Sequence, residues 1–173
     1  GVDLANKKQF DYYNFIDSDI ILDKNLLRDA CLFVKSEKLS MLTLMAKLNC
    51  ESFWEKLLIP PFIFFFQKLY PFNSVLKKSS GVAAAAGGFI FCKASLFKKK
   101  NLYENIKDKI IDDCNIAKEI KQIGSIWIGL TNRVYSNRKY NELSKIWKMV
   151  SRTAFEQLNY SILLLILSLL GLI

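Results

Sequence analysis

The sequence predicts an α/β fold, because strand-like and helix-like segments alternate along the 173 residues. The strand-like segments are short apolar runs rich in β-branched and aromatic residues, and the helix-like segments repeat their apolar positions at helical spacing. With 51% hydrophobic residues, the chain can bury one core of ordinary size. This composition excludes a disordered chain.

The first elements are a helix end, a strand, a helix and a second strand. Residues 1–9 have the pattern of a helix that leads into a strand at 11–17. Asp23 is a candidate N-cap for a helix that continues to about Glu37. Residues 39–48, LSMLTLMAKL, are apolar on both faces, which predicts a central strand.

The segment at 52–72 interrupts this alternation with an apolar run that contains Pro60 and Pro61. Its uninterrupted apolar part is shorter than the ~20 residues that a membrane-spanning helix needs. Trp, Tyr and Lys flank the run, and these residue types settle at lipid headgroups. We therefore predict an interfacial segment, with a buried core segment as the alternative.

A stretch of small residues, SSGVAAAAGGFIFCK, follows at 79–93 and ends in a predicted strand, GFIFCK. Its adjacent glycines, Gly87 and Gly88, permit close approach of a backbone or a ligand. Ordinary packing of a loop against a strand explains the same residues equally well.

The second half of the chain adds a helix at 110–124, a strand at 125–130 and a loop at 131–141. A basic amphipathic helix from about Glu142 then leads into an apolar run at 161–173. That run is too short to span a bilayer but reaches the end of the chain, which predicts a transmembrane helix cut midway.

The domain expectation follows from these elements: a globular part at 1–140, with its interfacial segment, and a membrane part at 141–173. The chain starts without Met and ends on an apolar run, so we expect it to be a piece of a longer protein.

Charge is distributed unevenly. Residues 61–173 hold 17 Lys and Arg against 7 Asp and Glu, whereas residues 1–60 hold 8 against 9. A basic half with apolar segments favours an anionic membrane surface or a phosphate-bearing substrate over nucleic acid. The absence of His excludes His-based triads, and the four scattered Cys favour buried thiols over disulfides or zinc ligands.

Asp17 and Asp19 form an Asp-x-Asp pair where the first predicted strand ends. In a turn beyond a strand end both side chains can converge on one cation, and carboxylate oxygens suit Mg²⁺ or Mn²⁺. Open α/β sheets bind ligands outside the carboxyl ends of their strands. The alternative is a turn that uses both aspartates locally.

A second acidic pair, Asp112 and Asp113, lies at the start of the predicted helix at 110–124. N-capping explains one of the two aspartates but not the pair. A carboxylate at a helix start can also act as a general base.

The motifs DSD (17–19), AAAAGG (83–88) and IDDC (111–114) occur in the order found in family 2 inverting glycosyltransferases of the GT-A fold. CESFWEKLLIPPFIFFFQKLYPF, IDDCNIAKEIKQIG and IWKMVSRTAFEQLNYS extend this likeness over essentially the whole chain. The chain thereby resembles the hopanoid (hopene)-biosynthesis-associated glycosyltransferase group. The resemblance implies a partial GT-A, Rossmann-like fold with interfacial helices.

The resemblance also implies roles for the two acidic pairs. Asp17 and Asp19 would bind Mg²⁺ or Mn²⁺ together with the diphosphate of a nucleotide-sugar donor. Asp113 would deprotonate the acceptor hydroxyl, with Asp112 in support.

Four further residues receive roles by the same resemblance. Gly87 and Gly88 would line the acceptor side. Related synthases carry a Q-x-x-R-W motif for the diphosphate, but here the region reads IWKMVSRTAF, so Arg152 or Lys148 is the candidate for neutralising the leaving group. A basic surface next to a membrane helix is the alternative.

The implied activity is metal-dependent transfer of a sugar to a lipid-type hydroxyl acceptor, such as a hopanoid, at the cytoplasmic face of the bacterial inner membrane. The family's nucleotide-binding half precedes its Asp-x-Asp motif, so we expect this chain to lack that half and to be inactive alone. A non-catalytic membrane-surface interaction module is the alternative from another class. A phosphotransferase is a weaker third, since the sequence has no Gly-rich phosphate loop.

Overall fold

A computed structural model describes residues 10–99, 112–158, 161–163 and 166. The strands are β1 (Tyr12–Phe15), β2 (Ile20–Leu22), β3 (Met41–Lys47), β4 (Ile90–Lys93) and β5 (Ile126–Ser136). The helices are α1 (Leu26–Ser36), α2 (Phe53–Leu69), α3 (Phe72–Leu76), α4 (Ser95–Lys99), α5 (Asp112–Lys121) and α6 (Leu143–Gln157). The predicted helix end at 1–9 and most of the predicted transmembrane start at 161–173 lie outside the described residues.

The strands form one five-stranded sheet in the order β1-β4-β3-β5-β2. β3 is central and its residues 41–46 are buried, which confirms the prediction for LSMLTLMAKL. β3 and β5 are parallel, and the other three neighbouring pairs are antiparallel. The architecture is therefore mixed α/β, with a parallel arrangement confined to the central pair.

β1 and β2 follow each other in the chain but lie at opposite edges of the sheet. In a flat sheet, four strand spacings of about 4.8 Å would separate the two strands by about 19 Å. Five residue steps, from Phe15 to Ile20, reach at most about 18 Å, and a turn closed by a hydrogen bond from Ile20 N–H to Asp17 C=O shortens the connection. The sheet must therefore curl, and the connection crosses the edge at which β3 and β5 end.

β5 is longer than the sequence predicted. The expected loop after residue 130 continues as strand to Ser136, because β2 pairs with it in the register Ile20↔Ser136 and Leu22↔Val134. Val134 is fully buried. The register between β3 and β5 shifts between Met45 and Lys47, so β5 has an irregular stretch after Leu130 before Tyr135 pairs with Lys47.

Helices cover both faces of the sheet. On one face, α1 packs its buried side chains against β3, in a cluster that includes Leu26, Ala30, Val34, Leu42, Leu44 and Ala46. On the other face, α5 and α2 pack against β3 and β4, in a cluster that includes Met41, Met45, Phe66, Ile116, Ala117 and Ile120. The helical spacing of the apolar residues in α5 thus matches its buried side.

The start of α1 is fixed to β5 by Arg133. The guanidinium of Arg133 lies 2.9 Å from a carboxylate oxygen of Asp23 and 2.9 Å from one of Asp29. The helix begins at Leu26, and the Asp23 carboxylate accepts a hydrogen bond from Asn25 N–H before the helix instead of capping it.

α2 keeps its helical path through Pro60 and Pro61 and packs against α6, with Ile59 and Ile146 buried between them. Its outer side leaves Phe53, Leu57 and Phe64 exposed. Among the helices of the described ranges, none combines the length and apolar character needed to cross a bilayer.

Candidate active site

The connection between β1 and β2 brings Asp17 to the edge of the sheet where the parallel strands end. At this edge, Asp17 lies close to the small-residue segment that precedes β4, and Asp113 at the start of α5 lies close to the same segment. A β-carbon built on Gly87 would lie 3.5 Å from Oδ2 of Asp17 and 3.5 Å from Oδ2 of Asp113. The two carboxylates therefore flank Gly87, although 96 positions separate them in the sequence.

Asp113 is oriented by the first turn of α5. Its Oδ1 accepts a hydrogen bond of 2.8 Å from Cys114 N–H, one of the donors that a helix start leaves without an intrahelical partner. Its Oδ2 is the oxygen next to Gly87. Asp112 is the first residue of α5, and its side chain lies outside the described set.

Three polar side chains hold the segment that ends on Gly87. Thr43, buried in β3, donates to Ala86 C=O at 3.2 Å and accepts from Ala86 N–H at 2.9 Å. The Cys114 thiol donates to Ala85 C=O at 3.6 Å. Lys121, at the end of α5, donates to the carbonyls of Ser74, Val75 and Val82. The backbone of this segment is thus anchored on both β3 and α5.

The ionisation of these anchors follows from burial. Burial, and then the charge of Asp113, raise the pKa of the Cys114 thiol to about 12, so the thiol stays protonated and donates. Burial lowers the pKa of Lys121. The three carbonyls around the Lys121 ammonium compensate for part of its lost hydration.

Gly88 has a different environment from its neighbour. A β-carbon on Gly88 would lie 2.8 Å from the β-carbon of Ala46 and 3.3 Å from a methyl group of Ile20. Glycine is needed here for close packing against β3. The acceptor-binding roles of Gly87 and Gly88 stay predictions.

Asp19 is placed beside the end of β5. Ser136 Oγ donates a hydrogen bond to Asp19 Oδ2, and Asn137 N–H donates to Asp19 C=O at 2.8 Å. Asp17 lies beside Gly87, whereas Asp19 contacts Ser136, so the Asp-x-Asp pair extends from the small-residue segment to the end of β5.

Arg138 is a basic residue of the site that sequence reasoning missed. Its Nε lies 3.7 Å from Asp19 Oδ2, and its side chain is 53% exposed. A hydrogen bond with Tyr140 and then the charges of Asp19 and Asp17 raise the pKa of Arg138. The guanidinium therefore stays charged beside both aspartates.

The structure gives less information on Lys148 and Arg152, the two residues predicted to neutralise the charge of the leaving group. Lys148 is exposed on α6, where its charge acts on Glu142 near the start of the same helix. The side chain of Arg152 lies outside the described set. Arg138 is thus the described basic side chain with a contact to the Asp-x-Asp pair.

The donor set at this edge suits a small hard cation. Mg²⁺ sites in phosphate-transferring enzymes commonly use one or two carboxylates and complete their shell with water and phosphate oxygens. In the described ranges, no three or more Asp, Glu, Cys or His side chains form a metal-binding group. The chain's contribution would be Asp17 with Asp19, next to Asp113.

Comparison with protein-family models gives no match to this chain, and comparison with curated proteins gives none either.

Proposed function

We propose that this chain forms the metal-binding and acceptor-binding part of a membrane-associated, inverting family 2 glycosyltransferase with a partial GT-A fold. The enzyme transfers a sugar from a nucleotide-sugar donor to the hydroxyl of a lipid-type acceptor, such as a hopanoid. The observation that carries the proposal is the approach of Asp17 and Asp113 to the same glycine, Gly87.

The acceptor reacts on the Asp113 side. Because Cys114 N–H binds Oδ1, the proton of the acceptor hydroxyl goes to Oδ2, the oxygen beside Gly87. The missing side chain of Gly87 leaves space for that hydroxyl next to the carboxylate. Thr43 keeps the glycine in place through both of its hydrogen bonds to Ala86.

The donor diphosphate lies on the side of Asp17 and Asp19. Asp17 and Asp19 would hold Mg²⁺ or Mn²⁺, which would stabilise negative charge on the departing diphosphate. Arg138 supplies a second positive charge at the same place, because its guanidinium lies next to Asp19.

The activity test uses the full-length protein, a panel of sugar nucleotides, Mn²⁺ and a lipid extract. Asp113→Asn is expected to lower sugar transfer by about 10²- to 10⁴-fold, the usual contribution of a general base. Asp11→Asn is the matched control, since Asp11 is exposed at the opposite end of β1 from Asp17. Retention of full transfer by Asp113→Asn contradicts the proposal.

Metal binding separates the enzyme from a second candidate, a non-catalytic membrane-surface module. The exposed apolar side of α2 is the observation that favours this candidate. For the enzyme, titration with Mn²⁺ in the presence of a nucleoside diphosphate should show about tenfold weaker binding in Asp17→Asn and in Asp19→Asn. Equal Mn²⁺ affinity in both variants and the unaltered protein supports the module.

A further inference from the structure

A groove of about 430 Å³ lies between α2, the end of β3 and the middle of β5. Its volume is in the range of about 300–1,000 Å³ that is usual for small-molecule sites. The lining is largely apolar and includes Met45, Ala46, Ile59, Ile63, Phe64 and Leu130. The groove lies where the register between β3 and β5 shifts, after the pair Met45↔Leu130.

One end of the groove lies next to the candidate active site. Met45 lines the groove, and Thr43, two residues earlier on the same face of β3, holds Ala86 next to Gly87. A molecule whose hydroxyl reaches Gly87 can therefore extend along this face of β3 and enter the groove at Met45.

The other end of the groove reaches the exposed apolar side of α2. Phe64 lines the groove and is 53% exposed. Phe53, Leu57 and Phe64 are spaced on one side of the helix, so the groove opens onto their shared surface. Lys68 follows on the same side, with its ammonium 5.4 Å from the centre of the Phe64 ring.

We propose that this groove binds the apolar chain of the lipid acceptor while the hydroxyl of that lipid lies at Gly87. This inference rests on the proposed function and names the part of the site that recognises the lipid. Each methylene moved from water into an apolar groove strengthens binding by about fourfold. One turn of an α-helix, about 10 Å wide and 5.4 Å long, would already fill about 420 Å³, which is nearly the whole groove. The volume therefore favours a single hydrocarbon chain over a partner helix.

The test uses a long-chain primary alcohol that carries a photoreactive diazirine in its chain. The alcohol is presented to the full-length protein in phosphatidylcholine vesicles, and the adducts are located by mass spectrometry. We expect adducts on the peptides that contain Met45 to Cys50 and Ile59 to Gln67. Adducts spread over the exposed residues of α2 and α6, with none in the groove, overturn the inference.

A substitution that fills the groove with a larger side chain provides a second test of lipid binding. Leu130→Trp places a larger side chain in the groove and should lower the adduct yield at least about fivefold, with nucleotide-sugar affinity unchanged. Leu32→Trp is the matched control, because Leu32 is 61% exposed, against 58% for Leu130, and lies on α1 across the sheet. An equal adduct yield in Leu130→Trp and Leu32→Trp contradicts the groove.

Alkylation of Cys50 gives a second measurement, which uses the unaltered protein and needs no substitution. Cys50 lines the groove and is exposed, whereas Cys92 and Cys114 are buried. Partial burial, and then the charge of Glu55, raise the pKa of Cys50, so alkylation by a maleimide is measured at mildly alkaline pH. The long-chain alcohol should slow this alkylation at least about fivefold. Equal alkylation rates with and without the alcohol overturn the inference.

Sugar transfer, measured on the same variants, separates the two proposals. If the alcohol labels the groove but no sugar is transferred, the groove binds lipid and the glycosyltransferase proposal fails. If Leu130→Trp transfers sugar to lipid as well as the unaltered protein does, the enzyme proposal stands and the groove inference fails.

Discussion

Gly87 and Gly88 are adjacent glycines with opposite consequences for substitution. The β-carbon of Gly87→Ala would be at 3.5 Å from its nearest atoms, the carboxylate oxygens, which is ordinary contact. The fold should tolerate it, because neither glycine has a positive φ. The methyl group would occupy the space of the acceptor hydroxyl, so we expect at least about tenfold slower transfer at a free energy of unfolding within about 1 kcal/mol of the parent.

Gly88→Ala, in contrast, should destabilise the fold. Its β-carbon would lie only 2.8 Å from that of Ala46, so β3 or the preceding loop must shift. We expect a loss of about 1–3 kcal/mol in the free energy of unfolding, measured by urea denaturation. A stable Gly88→Ala protein beside an unfolded Gly87→Ala protein would contradict the described positions of these glycines.

Arg138 allows a test in which two affinities change in opposite directions. Arg138→Gln removes a positive charge beside Asp19 and Asp17, so Mn²⁺ alone should bind about two- to fivefold more tightly. The nucleotide-sugar donor should bind about tenfold more weakly, because its diphosphate loses a charged partner.

Arg28→Gln is the control for this pair of measurements, since the Arg28 side chain is 72% exposed on α1. Calorimetric titration measures both affinities. If Mn²⁺ and donor affinities fall together in Arg138→Gln, Arg138 acts through the fold and not through the diphosphate.

At the scale of elements, Glu55 joins the start of α2 to the segment after β5. Its carboxylate is buried and accepts hydrogen bonds from the N–H groups of Glu51, Ser52 and Tyr140. Burial by itself would raise the pKa of Glu55, but these backbone donors outweigh burial and lower it to about 2. The charged form is therefore the one that stabilises the fold.

The pH dependence follows from the sign of this shift. A carboxyl with a lowered folded-state pKa contributes its full stability above the unfolded value of 4.5 and loses it as pH falls toward about 2. Glu55→Gln should cost about 1–3 kcal/mol near neutral pH, and this difference should shrink below pH 4.5. Urea denaturation across this pH range measures it. Glu51→Gln, with a side chain that is 72% exposed, should show almost no effect.

The outer side of α2 should make the protein bind membranes. Phe53, Leu57 and Phe64 are exposed, and so are Lys56 and Lys68, a residue type that settles at headgroup level. Leu57→Glu is expected to reduce sedimentation with vesicles that contain phosphatidylserine by at least about threefold. Leu27→Glu on α1, with 46% exposure against 50% for Leu57, should not reduce it. Equal sedimentation of the two variants would exclude α2 as the membrane contact.

At the scale of the whole molecule, local patterns predicted much of the fold. Continuous apolar runs predicted β3 and β4, and helical spacing predicted α1, α5 and α6. The extension of β5 was missed, because TNRVYS has a mostly polar pattern and only pairing with β2 makes it a strand. The curled sheet was missed for the same reason, since strand order depends on contacts between distant segments.

The candidate site also contains residues that the sequence predicted and residues that it did not. The aspartates were predicted as site residues because two acidic pairs lie at element ends, and the resemblance to family 2 glycosyltransferases supplied their roles. Thr43, Lys121 and Arg138 carry no such signal, because each is a single polar residue whose partners lie far away in sequence. Their contributions depend on how the small-residue segment and the end of β5 are placed in three dimensions.

The connection that carries Asp17 and Asp19 also fastens the two margins of the sheet to each other. If the aspartates hold a cation as proposed, fraying of either edge strand would displace them and weaken cation binding. Occupation by a cation should accordingly slow amide hydrogen exchange along both margins at once.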